Sequence, residues 1–317
     1  MAAVTENYRS LRFVDDSFRT DREVVLAAVA QNEYQALQWA ADSLKRDKDF
    51  ALAVVTLDDD FERLFYLDES FKCDRDVVLA AVTQDGSALM FADASLKRDR
   101  GVVMAAVTQQ GRALEFADES LRKDRDVVSV AATQNVAALQ YADETLKGDR
   151  DVVLAAVANG AFALNYADES LRRDRDFVLA AVMKNGRALY YADESFRRDR
   201  DVVLAAVTSD GAEGEAGGVL HSVDESLRRD RGVVFATVAR DGLALEYADE
   251  SLQKDRDVVL AAVAQNGLAL EYADESLRKD RDVVLAAVTQ DGQALKYADE
   301  SLHKDRDIAL AAATRAN

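Results

Sequence analysis

The chain has 317 residues, no proline, one cysteine and two histidines, with 40 basic against 59 acidic side chains and a net charge of −19. Ordinary usage would supply roughly 16 prolines, one thiol excludes an intramolecular disulfide framework, and two imidazoles leave little for zinc or acid–base chemistry. The acidity argues against a general nucleic-acid binder, which needs clustered Lys and Arg to meet phosphates.

Residues 1–13, MAAVTENYRSLRF, have neither the charged start and apolar stretch of a signal peptide nor the Arg- and Ser-rich look of a transit peptide. The longest recurring apolar run, VVLAAV, is far short of the 18 or so residues that span a bilayer. A soluble, cytoplasmic protein without membrane insertion is expected.

From residue 21 an aspartate followed by Arg or Lys recurs at Asp21, Asp47, Asp74, Asp99, Asp124, Asp149, Asp174, Asp199, Asp230, Asp255, Asp280 and Asp305. The spacing is 25 except for 26 and 27 in the first two units and 31 in the unit at 199–229. Such self-similarity is the signature of a repeat array. In the unit at 255–279, DRDVVLAAVAQNGLALEYADESLRK, positions 1 to 13 read as one helix. Its position-1 aspartate is an N-cap, the acid at position 3 suits the positive end of the helix dipole, and Gly267 at position 13 is the C-terminal stop. Its body is apolar around most of its circumference, which predicts burial on several sides.

Positions 14 to 19 predict a short second helix, with Ala269, Leu270 and Ala273 facing inward beside Tyr272. The closing D-E-S-L-basic-basic stretch predicts a turn. One such unit has too little apolar surface to fold alone, so the units fold by stacking. The expected fold is an all-α, superhelical α-solenoid of about eleven units, forming one repeat domain over 1–317. Within it, 1–73 holds an N-terminal half-unit and divergent capping units, 74–211 regular units, 212–218 an insertion loop, 219–304 regular units and 305–317 a C-terminal capping half-unit.

The pattern DRDVVLAAVxQNGxALxYADESLRK resembles the short helical repeats called domain of unknown function 4116, with units 74–98, 255–279 and 280–304 matching closely. The 25-residue spacing is also similar to leucine-rich variant repeats, which alternate α and 3₁₀ helices but carry prolines absent here. The resemblance implies an α-solenoid with no assigned activity and supplies no catalytic residue.

Aromatic residues recur at position 18, from Phe13 and Trp39 to Tyr272 and Tyr297. Base stacking would use such a ladder, but without phosphate neutralisation a core spine with tyrosine hydroxyls at its edge is expected instead. Acids at positions 1, 3, 20 and 21 would suit calcium. The bases at positions 2, 24 and 25 among them, and the lack of a D-x-D-x-D-G loop, point to capping and inter-repeat ion pairs; the acidic run Asp58–Asp60 is isolated. The serine at position 22, as in Ser120 and Ser276, has no histidine partner and no G-x-S-x-G elbow, so a turn-capping hydroxyl is expected. Cys73, with Lys72 and Arg75 close by, is read as an incidental thiol. No cofactor, no metal and no catalytic activity are expected.

Variation is confined mainly to positions 14 and 17, which lie three apart on one face of the second helix. They hold Ser87 and Met90, Phe162 and Asn165, Arg187 and Tyr190, Leu243 and Glu246, Leu268 and Glu271. Unconstrained surface and a tuned binding face are both open readings. The long unit at 199–229 carries Gly211-Ala-Glu-Gly-Glu-Ala-Gly-Gly218 between its helices, and Ser222 where the others have an aromatic. A flexible loop and a local packing defect are expected there, either as a tolerated insertion or as a hinge or partner contact. The candidate partner-binding residues are therefore Met90, Phe162, Tyr190, Leu243, Leu268, Glu213, Glu215 and His221. The expected function is a non-enzymatic protein–protein interaction scaffold with an extended acidic surface, monomeric. The alternative is a structural protein that self-assembles head to tail through the half-units at 10–20 and 305–317.

Overall fold

The computed structural model describes residues 11–30, 34–57, 61–209 and 216–314. Its backbone contacts sort the chain into two compact units, Met1–Asn159 and Gly160–Asn317. Each is an all-α solenoid of tandem repeats, and no β-strand occurs among the described residues.

A regular repeat has three pieces. The first is a ten-residue α-helix such as Arg75–Gln84, with Asp74 as its N-cap accepting the backbone N–H groups of Asp76 and Val77. The second is a six-residue helix such as Gly86–Phe91, wound as 3₁₀ rather than α. The third is a single turn such as Glu119–Arg122, capped by Asp118. In most repeats this turn is α-helical, so the closing segment is a third, very short helix. At Leu96–Arg98, Glu194–Arg198 and Glu300–Leu302 it is 3₁₀.

The core comes from few positions. Val77, Val78, Ala81 and Val82 of the first helix are buried, as are Ala88, Leu89, Ala92 and Leu96 from the other two pieces, and the same pattern recurs along the chain. The first helix is thus buried on one broad face and not all round. Its position-6 side chain stays at the outer edge: Phe235 is exposed, and Leu79 and Leu260 half-buried. In the last helix, Arg306–Thr314, only Ile308 and Ala312 are buried.

The glycine at position 13 has a different cause from the stop expected of it. The residue before it ends the α-helix in an extended conformation (Asp85, φ −138°, ψ 119°), and the glycine opens the 3₁₀ helix. A methyl group on Gly186 would collide with the carbonyl oxygen of Ala206 in the following repeat, and one on Gly267 with that of Ala287. The missing Cβ lets successive repeats approach.

Three ladders recur between consecutive repeats within each unit, the third only where position 11 is glutamine. Arg100 donates to Asp124 (2.8 Å) and Asp126 (2.7 Å), and Arg231 to Asp255 (2.7 Å) and Asp257 (2.8 Å). The position-25 base pairs with the following position-20 aspartate, as Arg98 with Asp118 (2.9 Å) and Arg229 with Asp249 (2.8 Å). Glutamine at position 11 reaches back: Gln265 Nε2 donates to the Arg240 carbonyl (3.0 Å) while its Oε1 accepts the Gly242 N–H (2.7 Å). Exposed ion pairs are individually weak, so the ladders set register more than they add stability.

The position-22 hydroxyls bond the capping carboxylates, Ser120 Oγ to Asp118 Oδ1 at 2.7 Å. The Ser120 hydroxyl, then its backbone N–H and the Arg98 guanidinium, hold the Asp118 carboxyl down at about 2. Ser120→Ala should therefore raise the Asp118 titration midpoint more than Arg98→Met does. Carboxylate-carbon NMR titrations of the two variants check this, and equal shifts would contradict the ordering.

Candidate interaction surface

The 3₁₀ helix points its residues in fixed directions because i and i+3 eclipse. Positions 13 and 16 therefore face inward together: Gly111 and Leu114, Gly242 and Leu245 and Gly267 and Leu270 are buried. Position 15 is buried as well. Positions 14 and 17 are left at the surface, so the two most variable positions of the repeat are the ones its geometry leaves outward.

Five of the candidate residues lie on this stripe. Met90, in the first unit, is 39% exposed, while Phe162 and Leu243 in the second are 40% and 38% exposed. Leu268 and Tyr190 are half-buried. His221 is exposed, with its ring 4.9 Å from that of Tyr247. Glu213 and Glu215 lie outside the described residues, as do Asp58–Asp60.

The position-18 aromatics belong to the same stripe and not to a core spine. Phe91, Tyr166, Tyr191, Tyr247 and Tyr272 are half-buried, and Phe13 is 81% exposed. Position-14 side chains fit between consecutive aromatics. Phe162 packs edge-on against Tyr166 of its own repeat (5.1 Å) and Tyr191 of the next (5.3 Å), and Arg112 donates to the Tyr141 hydroxyl one repeat on (3.2 Å). Leu and Val at neighbouring inward positions fill the interior, so the rings are displaced to its rim.

In the irregular unit, residues Ala216–Ser222 form a helix in which Ala216, Gly217, Val219 and Leu220 are buried. The stretch 212–218 is thus not a loop throughout: its last three residues are helical, and 212–215 lie outside the described residues. At Ser222 the missing aromatic is only partly compensated. Ser222 Oγ donates to the Val219 carbonyl (2.8 Å), and Tyr190 of the preceding repeat covers the site, its hydroxyl 2.9 Å from where a Gly218 Cβ would stand. Burial pushes the Tyr190 hydroxyl up. Beside it opens a polar cleft of about 440 Å³ lined by Glu194, Ser195, Arg197, Arg198, Ser222 and Asp224.

Phe65 was missed by the sequence reading. It is 51% exposed and lies 5.4 Å from Phe91, with the Lys72 ammonium 5.2 Å from its ring. The signal was the Phe61–Phe65 spacing of four in FERLFY, hidden by the irregular length of its unit. Cys73 is a free, exposed thiol. Among the described residues no group of three His, Cys, Asp or Glu could hold a metal ion, and no helix is long and apolar enough to cross a membrane.

No curated protein and no solved structure matches the chain significantly. The family model described as Domain of unknown function (DUF4116) matches it nine times in tandem, at 1–45, 47–97, 99–147, 131–172, 149–197, 174–228, 199–253, 230–278 and 280–315. Those matches cover nearly every residue of an array whose caps, 3₁₀ helices and ladders repeat with the same period, and the chain belongs to this family of repeats.

Proposed function

We propose that the protein is a non-enzymatic scaffold that binds another protein along the outward stripe of its 3₁₀ helices. One observation carries this reading: positions 14 and 17 vary freely while lying at the surface, exposed or half-buried, whereas the positions that cap the first helix and build the core are nearly fixed. Fixed positions hold the stripe rigid, which lowers the ordering cost of binding, and the variable ones give each repeat its own contact. Apolar residues such as Phe162 and Leu243 supply anchors within a charged surround, the composition that distinguishes the centre of an interface. The exposed, unpaired Cys73 suits a reducing compartment.

Proximity labelling from the native cell tests the reading. Proteins labelled by the wild type should be lost with the double variant Leu243→Glu/Leu268→Glu, whose substitutions lie at the surface, and retained with Thr289→Glu on the first-helix face. An identical labelled set for all three would contradict it.

A further inference from the structure

We propose that the stripe over residues 243–272 docks a basic peptide segment of the partner, one guanidinium or ammonium group per repeat seated against the Tyr247 and Tyr272 rings. This rests on the scaffold reading above and names the chemistry of the partner.

Tyr247, Tyr272 and Tyr297 follow one another at position 18, each half-buried with part of the ring at the surface. The faces of such rings attract cations. The chain itself shows that the stripe accepts them. At position 17 of the first half-unit, the Arg12 guanidinium lies 5.7 Å from the Phe13 ring and 5.3 Å from the Trp39 ring, bridging the aromatics of two successive repeats. At position 17 of the last complete repeat, the Lys296 ammonium lies 4.6 Å from the Tyr297 ring.

In the two preceding repeats the same position holds a carboxylate, the exposed Glu246 and Glu271. Each stands where the chain elsewhere supplies its own cation. Glu246 pushes the Tyr247 hydroxyl up, and burial with Glu246 and Glu271 does the same for Tyr272, so these carboxylates stand near the tyrosine hydroxyls. An aromatic face with an adjacent carboxylate and no resident cation is complementary to an incoming one. Leu243 and Leu268 beside it provide apolar surface for the aliphatic stems of Arg or Lys. The same carboxylates oppose nucleic-acid phosphate.

Stacked helices lie about 8–10 Å apart, and an extended polyproline-type chain advances roughly 3.1 Å per residue. About three peptide residues therefore span one repeat, and the matching segment carries a basic residue at every third position.

Fluorescence anisotropy with the full chain and labelled synthetic peptides tests this. Three peptides of one composition place two arginines in a Gly/Ser background, the second at two, three or five positions after the first. The peptide with the three-position spacing should bind at least five-fold more tightly than the other two. Glu246→Gln/Glu271→Gln should weaken it at least five-fold, Tyr272→Leu should do likewise, and Tyr272→Phe should leave it unchanged, with circular dichroism unaltered throughout. Absence of saturable binding, equal affinity for all three spacings, or full binding by the double Gln variant would overturn the proposal. Should that happen while labelling still depends on Leu243 and Leu268, the scaffold reading stands and only the basic partner falls. Loss of that dependence as well removes both.

Discussion

Acidification should unfold the protein, with its helical circular dichroism lost steeply between about pH 4 and pH 2. The capping aspartates Asp68, Asp118, Asp193, Asp224 and Asp249 are each held down at about 2, against about 3.9 in an unfolded chain. A folded-state value below the unfolded one stabilises the fold above the unfolded value, and that contribution disappears as pH falls through the folded value. Position-1 aspartates such as Asp99, Asp255 and Asp280 are lowered too, with the preceding repeat's arginine as the largest cause. Each exposed group contributes little, but the same linkage recurs in repeat after repeat. Protonation on the way down to pH 2 weakens caps and ladders together. A circular dichroism titration that keeps full helicity at pH 2 would contradict the assignment of these carboxylates to the stability of the array.

The second large effect concerns the inward leucine of the 3₁₀ helix. Leu270→Ala should lower the unfolding free energy by about 2–5 kcal/mol, the range for a buried leucine whose surroundings collapse only partly. Leu114, Leu189 and Leu245 are equally buried at 0% exposure, so the same substitution at each should fall in that range. Leu295 occupies the equivalent position but is only half-buried, and Leu295→Ala should cost distinctly less. Glu271→Ala, next to Leu270 but exposed, should change stability by less than about 0.5 kcal/mol. Urea unfolding of the six variants gives the comparison. Equal losses at Leu270 and Leu295 would show that inward position, rather than coverage by neighbouring repeats, sets the energy.

Much of this architecture was legible because its signals are local. The period fixed the repeat, aspartate before the first helix marked its N-cap, and the Val and Leu residues marked most of the buried positions. Other features were not legible because their cause lies in another repeat. Gly267 looked like a helix terminator, yet its missing Cβ serves the approach of Ala287. Nothing local marks Gln265, which ties two backbone groups of the previous repeat. The six-residue second helix could be α or 3₁₀ by spacing alone, and that difference displaced the position-18 rings from core to rim. In the long unit, Ala216–Gly218 looked too small and glycine-rich to be helical, but Val219 and Leu220 anchor them in the core. The variable stripe was visible as variation; its outward orientation required the 3₁₀ winding.

Site-specific photo-crosslinking in the native cell, with the reactive group placed in turn at positions 14, 17, 6 and 10 of the repeats at 230–304, tests the central claim most directly. Crosslinks to a common partner should form from Leu243, Glu246, Leu268 and Glu271, and not from Leu260 or Thr289 on the first-helix face. Crosslinks from Leu260 and Thr289 alone would contradict it.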